Sequence, residues 1–140
     1  MKTITYVLQL LMITAALTFS GCNKDEGDDR FDLLTSHPWT TDSLLANGVN
    51  AGNPGQLLFN FKGEARFNKD GSGTFGNYTG KWWFTENKTQ ITIKSDSLAL
   101  PLTNKILELT ESSFKITTSV PDISGLMGGP IQVKMTFKAK

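Results

Sequence analysis

The sequence predicts an all-β domain, an antiparallel up-and-down barrel or closed sandwich of about eight short strands. Three observations predict it. From residue 37 onward, apolar side chains recur with period two and not 3.6. Clusters of Gly, Asp, Asn and Ser cut the chain into short runs. No segment after residue 30 carries a convincing helical stripe.

The strands are placed at 37–44, 57–68, 73–79, 80–85, 89–95, 104–110, 113–120 and 131–139. The first carries Trp39. In the second, Phe59, Phe61, Gly63, Ala65 and Phe67 share one face, while Asn60, Lys62, Glu64, Arg66 and Asn68 share the other. One dry face and one wet face describe a half-buried strand. Gly63 inside it marks a bulge or bend. Leu57-Leu58, after Pro54-Gly55, suits a short helical turn at its start. Lys69-Asp70-Gly71-Ser72-Gly73 is a hairpin loop. Tyr78, Trp82 and Phe84 share parity with Gly76 and Gly80. Glu86-Asn87-Lys88 and Thr110-Glu111-Ser112 are turns. Phe114, Ile116, Thr118 and Val120 alternate in the seventh strand, and Ile131, Val133, Met135 and Phe137 in the last. The 46–55 loop is polar and flexible. The 121–130 loop is rich in Gly and Pro yet carries Ile123, Leu126 and Met127, which suit a lid or contact patch at a barrel mouth.

Before the domain lies a different kind of segment. Lys2 precedes an uncharged run from Ile4 to Phe19, followed by Ser20, Gly21 and Cys22. A basic start, an apolar stretch and small residues form a secretory signal. The run of 16 residues is shorter than the roughly 20 that a membrane span needs. Phe19-Ser20-Gly21-Cys22 resembles the lipobox of bacterial lipoproteins, with Phe19 where Leu is usual. That resemblance implies lipidation of Cys22, the only Cys of the chain, with acyl chains such as palmitate anchoring the protein to a membrane. Residues 23–32 hold five acids and two bases, a composition that reads as a solvated tether. An acidic patch after the lipidated Cys also resembles the export signal of Bacteroidetes lipoproteins, implying display on the outer membrane. The expected organisation is a signal peptide at 1–21, an acidic flexible tether at 22–32 and a barrel domain at 33–140.

The body resembles the lipocalin-like domain of small Bacteroidetes lipoproteins. The residues that carry the likeness are Leu33-Leu34 with Trp39, then Ala65-x-Phe67-x-x-Asp70-Gly71-x-Gly73-Thr74-Phe75. Gly80-x-Trp82-x-Phe84 and Lys105-Ile106-Leu107-Glu108-Leu109-Thr110 follow. The lipocalin first-strand motif is Gly-x-Trp, and here His37 holds the Gly place. The likeness implies a calycin-type barrel that binds a small apolar molecule.

Several function classes find no footing. With 14 Lys and Arg against 13 Asp and Glu, no basic excess exists to hold a nucleic-acid backbone. One Cys and one His cannot build a four-ligand zinc site. His37 has no thiol or second His in the body to work with, so no catalytic residue is assigned and a non-enzyme is expected. Asn68 to Phe75 looks like the first eight positions of a calcium loop, but Thr79 stands where the bidentate Glu belongs. No metal and no cofactor are expected. Asp42-Ser43-Leu44 and Asp96-Ser97-Leu98 resemble short O-glycosylation acceptors of Bacteroidetes.

The aromatic residues pose the functional question. Trp39, Phe59, Phe61, Phe67, Tyr78, Trp82, Phe84, Phe114 and Phe137, with Met135, are assigned to the inward faces, and Leu126 and Met127 to the mouth. These twelve are the candidate ligand-binding residues. The same rings could fill the interior of a barrel this small. Two functions stay open: a carrier of a small apolar ligand, or a filled barrel that engages a surface protein or glycan through its loops or through Trp83.

Overall fold

The structure is a computed structural model that describes residues 26–140, with side chains from residue 29 onward. Its elements in chain order are α1 (Glu26–Thr35), β1 (Trp39–Ala46), β2 (Val49–Asn50), a 3-10 turn (Phe59–Phe61), β3 (Glu64–Phe67), β4 (Ser72–Phe75), β5 (Tyr78–Thr85), β6 (Gln90–Ser95), β7 (Leu102–Leu109), β8 (Ser113–Val120) and β9 (Ile131–Ala139). From β3 to β9 each strand pairs antiparallel with the next. β1 closes the sheet, pairing with β9 from Trp39↔Ala139 to Ala46↔Val133 and with β3 at Trp39↔Ala65 and Thr40↔Glu64. The result is a closed up-and-down barrel of eight strands, calycin-like in form, with the two residues of β2 as a flap on β1. Closure leaves no long unpaired edge. Register shifts between Thr41 and Ser43 in β1 and between Ile106 and Glu108 in β7 supply local bends.

The strand directions define two ends. The 68–71, 86–89 and 110–112 turns lie at the end where β1 begins. The 51–63, 76–77, 96–101 and 121–130 segments lie at the other. Helix α1 sits across the first end. Leu34 is fully buried, and its carbonyl accepts the indole N–H of Trp39 at 3.0 Å. The Phe31 ring lies 5.7 Å from that of Trp82. Arg30 donates to the carbonyl of Lys88 at 2.9 Å, tying the helix to the β5–β6 turn. This end of the barrel is therefore plugged.

Burial along the strands follows period two. Ile131, Val133, Met135 and Phe137 are all buried, while Gln132, Lys134 and Lys138 are exposed. Four readings of the sequence are corrected. The 22–32 tether was expected to be flexible, but from Glu26 onward it is helical, and the helix runs on to Thr35. Phe31 and Leu34, three apart, give α1 one apolar edge that the barrel end buries. The 57–68 strand begins only at Glu64. Gly63 turns the backbone at φ +119°, and its carbonyl accepts the Thr41 N–H at 2.8 Å. The 46–55 loop opens with a tight turn, Asn47 and Gly48 both at positive φ, which joins β1 to β2 as a hairpin. Finally, β4 and β5 meet at Gly76-Asn77 and not between residues 79 and 80.

Gly76 explains that last position. It has φ +62°, and a Cβ there would collide with the carbonyl oxygen of Asn60. The neighbouring Asn77 N–H donates to that same carbonyl at 2.8 Å, which pins the hairpin tip to the 3-10 turn. Gly76→Ala should therefore destabilise the barrel by about 2 kcal/mol or more in urea unfolding. Leu34→Ala should cost about 2–5 kcal/mol, because the plugged end cannot collapse around the void. A change within about 0.5 kcal/mol in the second case would show that α1 contributes nothing to stability.

Candidate functional site

The interior divides into two halves. The half beneath α1 is filled by aromatic rings. Phe67 meets Trp82 and Phe114 edge-on, with centroids 5.5 and 5.7 Å away, and tilts against Phe75 at 5.2 Å. Trp39 and Phe137 both meet Phe114 at 5.6 Å, and Phe84 meets Trp82 at 5.4 Å. The Trp82 N–H is shared between the carbonyls of Asn68 and Ser72, at 3.1 and 3.0 Å, which satisfies its polar edge. Such packing leaves no room for a guest.

The other half is open. A groove of about 400 Å³ lies at the mouth, within the range typical of small-molecule sites. Its inner wall comes from the mouth ends of β7, β8 and β9, through Leu102, Thr118, Val120, Ile131, Val133 and Met135. Its rim comes from the loops: Leu57, Leu58 and Phe61 before β3, Leu98 to Leu100 between β6 and β7, and Pro121 to Ser124 after β8. Tyr78, at the start of β5, stands 4.7 Å from Phe61, ring to ring. The lining is almost wholly apolar, so it removes apolar surface from water and offers few directional contacts.

The sequence-assigned residues separate across these halves. Phe61, Tyr78 and Met135 line the groove. Trp39, Phe67, Trp82, Phe84, Phe114 and Phe137 do not line it and belong to the ring cluster. Phe59 is half-buried in the 3-10 turn and does not line it either. Leu126 and Met127 project to solvent, 86% and 58% exposed, and take no part in the groove wall. In the same loop Ile123 does line it, although it is 88% exposed. Sequence reasoning missed Leu57, Leu58, Leu98, Leu100 and Leu102. Their Leu-rich composition was a signal, but alternation alone did not place them at one end. Cys22 lies outside the described residues.

Among the described residues the groove has one charged residue, Asp122, at its rim. Its carboxylate accepts from the Ser124 hydroxyl at 2.7 Å and the Met127 N–H at 2.6 Å. Those bonds, the Ser124 hydroxyl first, hold Asp122 below its ordinary value of 3.8. The loop resembling a calcium site is a hairpin, in which Asp70 accepts the Ser72 N–H at 2.9 Å and the Ser72 hydroxyl at 2.6 Å. Among the described residues no three His, Cys, Asp or Glu side chains gather to hold a metal. His37 pairs its Nδ1 with the Ser36 hydroxyl at 2.9 Å and lies 4.5 Å from the Trp39 ring. Among the described residues no helix is long and apolar enough to cross a membrane.

Comparison with protein-family models finds none that matches this chain, and comparison with curated proteins finds no match. The fold and the groove carry the functional argument.

The Asp122 network makes a pH prediction. A carboxylate held below its ordinary value stabilises its surroundings fully above the unfolded value and loses that contribution as pH falls through the folded one. The Met127 amide resonance should therefore shift with a midpoint below the ordinary value of 3.8. Ser124→Ala should move that transition to higher pH. Coincident transitions in the two proteins would remove the Ser124 bond as the cause.

Proposed function

We propose that this chain is a non-catalytic, lipocalin-like binding module that takes a small apolar ligand into the open end of its barrel. The carrying observation is the apolar groove of about 400 Å³ at the end of a closed barrel that no helix among the described residues plugs. Burying apolar surface there gains about 25 cal/mol per Å² before the cost of ordering the ligand. The resemblance of Phe19-Ser20-Gly21-Cys22 to a lipobox supports the further reading that the module is held on the outer membrane through lipid on Cys22.

A second reading, engagement of a surface protein or glycan, draws on the exposed apolar residues of the same end. Leu57, Leu100, Ile123 and Leu126 are each more than half exposed. One titration separates the two. The purified protein should bind a neutral, polarity-sensitive fluorophore saturably and one to one. Val120→Trp, which fills the groove, should weaken that binding about tenfold or more. Met127→Trp, on the solvent side of the loop, should leave it unchanged. Thermal melts of both variants check that the barrel is intact. Absence of saturable binding by the parent protein would remove the carrier reading in favour of the second.

A further inference from the structure

The outer wall of the barrel carries a run of positive charge that the fold leaves unpaired. Strands β5, β6, β7 and β9 turn Lys81, Lys94, Lys105 and Lys134 outward, and all four are exposed. Lys81 stands directly opposite Lys94 in the β5–β6 register. Lys105 and Lys134 both face Thr117, from either side of β8. Among the described residues none of the four enters an ion pair. Elsewhere on the wall Lys115 meets Glu108 at 3.1 Å and Lys138 meets Asp42 at 2.6 Å. With 14 bases against 13 acids the chain is nearly balanced as a whole, so this excess is local. Like charges directly opposite on a sheet are destabilising. The wall gains nothing in stability from Lys81 beside Lys94, but a bound anion would offset their repulsion.

An aromatic ring stands beside that run. Trp83 is 41% exposed, whereas Trp39 and Trp82 are buried. It lies on the outer face of β5, two residues from Lys81 and diagonal to Lys94, and pairs across the strands with Thr92. Thr92 pairs in turn with Thr103, and their hydroxyls lie 2.9 Å apart. Trp83, Thr92 and Thr103 thus form one row across three strands. Lys81 and Lys94 flank it on the mouth side, and Lys105 on the side of the plugged end. Beyond β5 the strip ends at the 68–71 turn, where Asp70 already accepts from the N–H and the hydroxyl of Ser72 at 2.9 and 2.6 Å. From Trp83 on β5 to Lys134 on β9 the strip crosses four strand spacings, about 20 Å.

We propose that this face binds a linear anionic polysaccharide laid across the strands, with one sugar ring stacked on Trp83 and its acidic groups against the four lysines. The proposal does not depend on the groove at the mouth. The C–H bonds on the face of a sugar ring carry partial positive charge and meet the negative face of an indole. Lys is a compact point charge on a flexible stem, suited to anionic groups whose exact position varies. Each contact at an exposed lysine is weak alone. A polymer that repeats its charge along the strip engages several of them at once, and avidity supplies the affinity. Single-stranded nucleic acid would want successive aromatic platforms along its track. Here one platform is followed by the hydroxyls of Thr92 and Thr103, which match the hydroxyls of a sugar chain.

The test titrates the purified protein with oligogalacturonate and, separately, with its fully methyl-esterified form, which keeps the sugar chain and removes the charge. Because Trp39 and Trp82 are buried, a change in indole emission reports Trp83. Oligogalacturonate should change that emission saturably at low salt, and its binding should fade as salt screens the lysines. The esterified chain should bind about tenfold more weakly or less. Lys81→Gln combined with Lys94→Gln should weaken oligogalacturonate about tenfold, and so should Trp83→Ala, followed through amide resonances since the reporter is gone. Lys138→Gln, outside the strip, should leave binding unchanged. All these side chains are exposed, and thermal melts check that the variants fold. No saturable response to oligogalacturonate at low salt would overturn the proposal. Equal binding of the esterified chain would do so too, as would unchanged binding in the Lys81/Lys94 variant or in Trp83→Ala. Tighter binding of an oligothymidylate of equal charge, or of vesicles containing anionic lipid, would assign the face to another class of partner and overturn it as well.

Discussion

The hydrogen bond from the Trp39 indole to the Leu34 carbonyl joins the two devices on which this barrel depends. Trp39 is the first residue of β1, the strand that closes the sheet against both β9 and β3. Leu34 belongs to the helix that plugs the end where β1 begins. A single fully buried side chain thereby couples closure of the wall to closure of one end. It also has a polar edge that must be satisfied in a dry interior, and only the helix supplies the acceptor. The helix is thus part of the core.

That coupling explains why the interior is asymmetric. Large rings gather where the helix excludes water, and they make a chain of tilted and edge-on contacts from Phe31 through Trp82 and Phe67 to Phe114 and Phe137. Toward the other end β7, β8 and β9 turn smaller, aliphatic residues inward: Val120, Val133, Ile131, Leu102. Smaller side chains on a barrel of fixed circumference leave space. The choice between a filled barrel and a hollow one is therefore resolved by position: filled under the helix, open at the mouth.

The wall was legible in the sequence because burial on one face of a strand imposes period two directly. β8 and β9 show it cleanly, with inward Phe114, Ile116, Val133 and Met135 separated by wetter neighbours. The Asn47-Gly48 turn was also written there, although the surrounding polar loop obscured it. Helix α1 was harder to see. Its acidic composition resembles a spacer, and only Phe31 and Leu34 reveal an apolar edge. The groove was least legible. Its residues come from five separated stretches, and only closure of β1 on β9 brings them to one end. Of the aromatic residues assigned inward, only Phe61 and Tyr78 line the groove, and most of the others fill the half beneath the helix. Nor could composition tell which side chains of the 121–130 loop turn inward, so Leu126 and Met127 were chosen while Ile123 reaches the groove.

The pairing of β1 with β9 makes this domain close to a ring. Trp39 faces Ala139 across the seam, and the Lys140 N–H donates to the Pro38 carbonyl at 3.0 Å. Every other wall contact except that between β1 and β3 is a hairpin between sequence neighbours, able to form locally. The seam alone joins opposite ends of the domain, so it bears most of the loop-closure entropy of folding. The covalent break in the ring is correspondingly arbitrary. A chain rejoined from residue 140 back to α1 and opened instead within the exposed 121–130 loop would keep every strand neighbour it has now, with β1–β9 made local and β8–β9 made the long-range seam in its place.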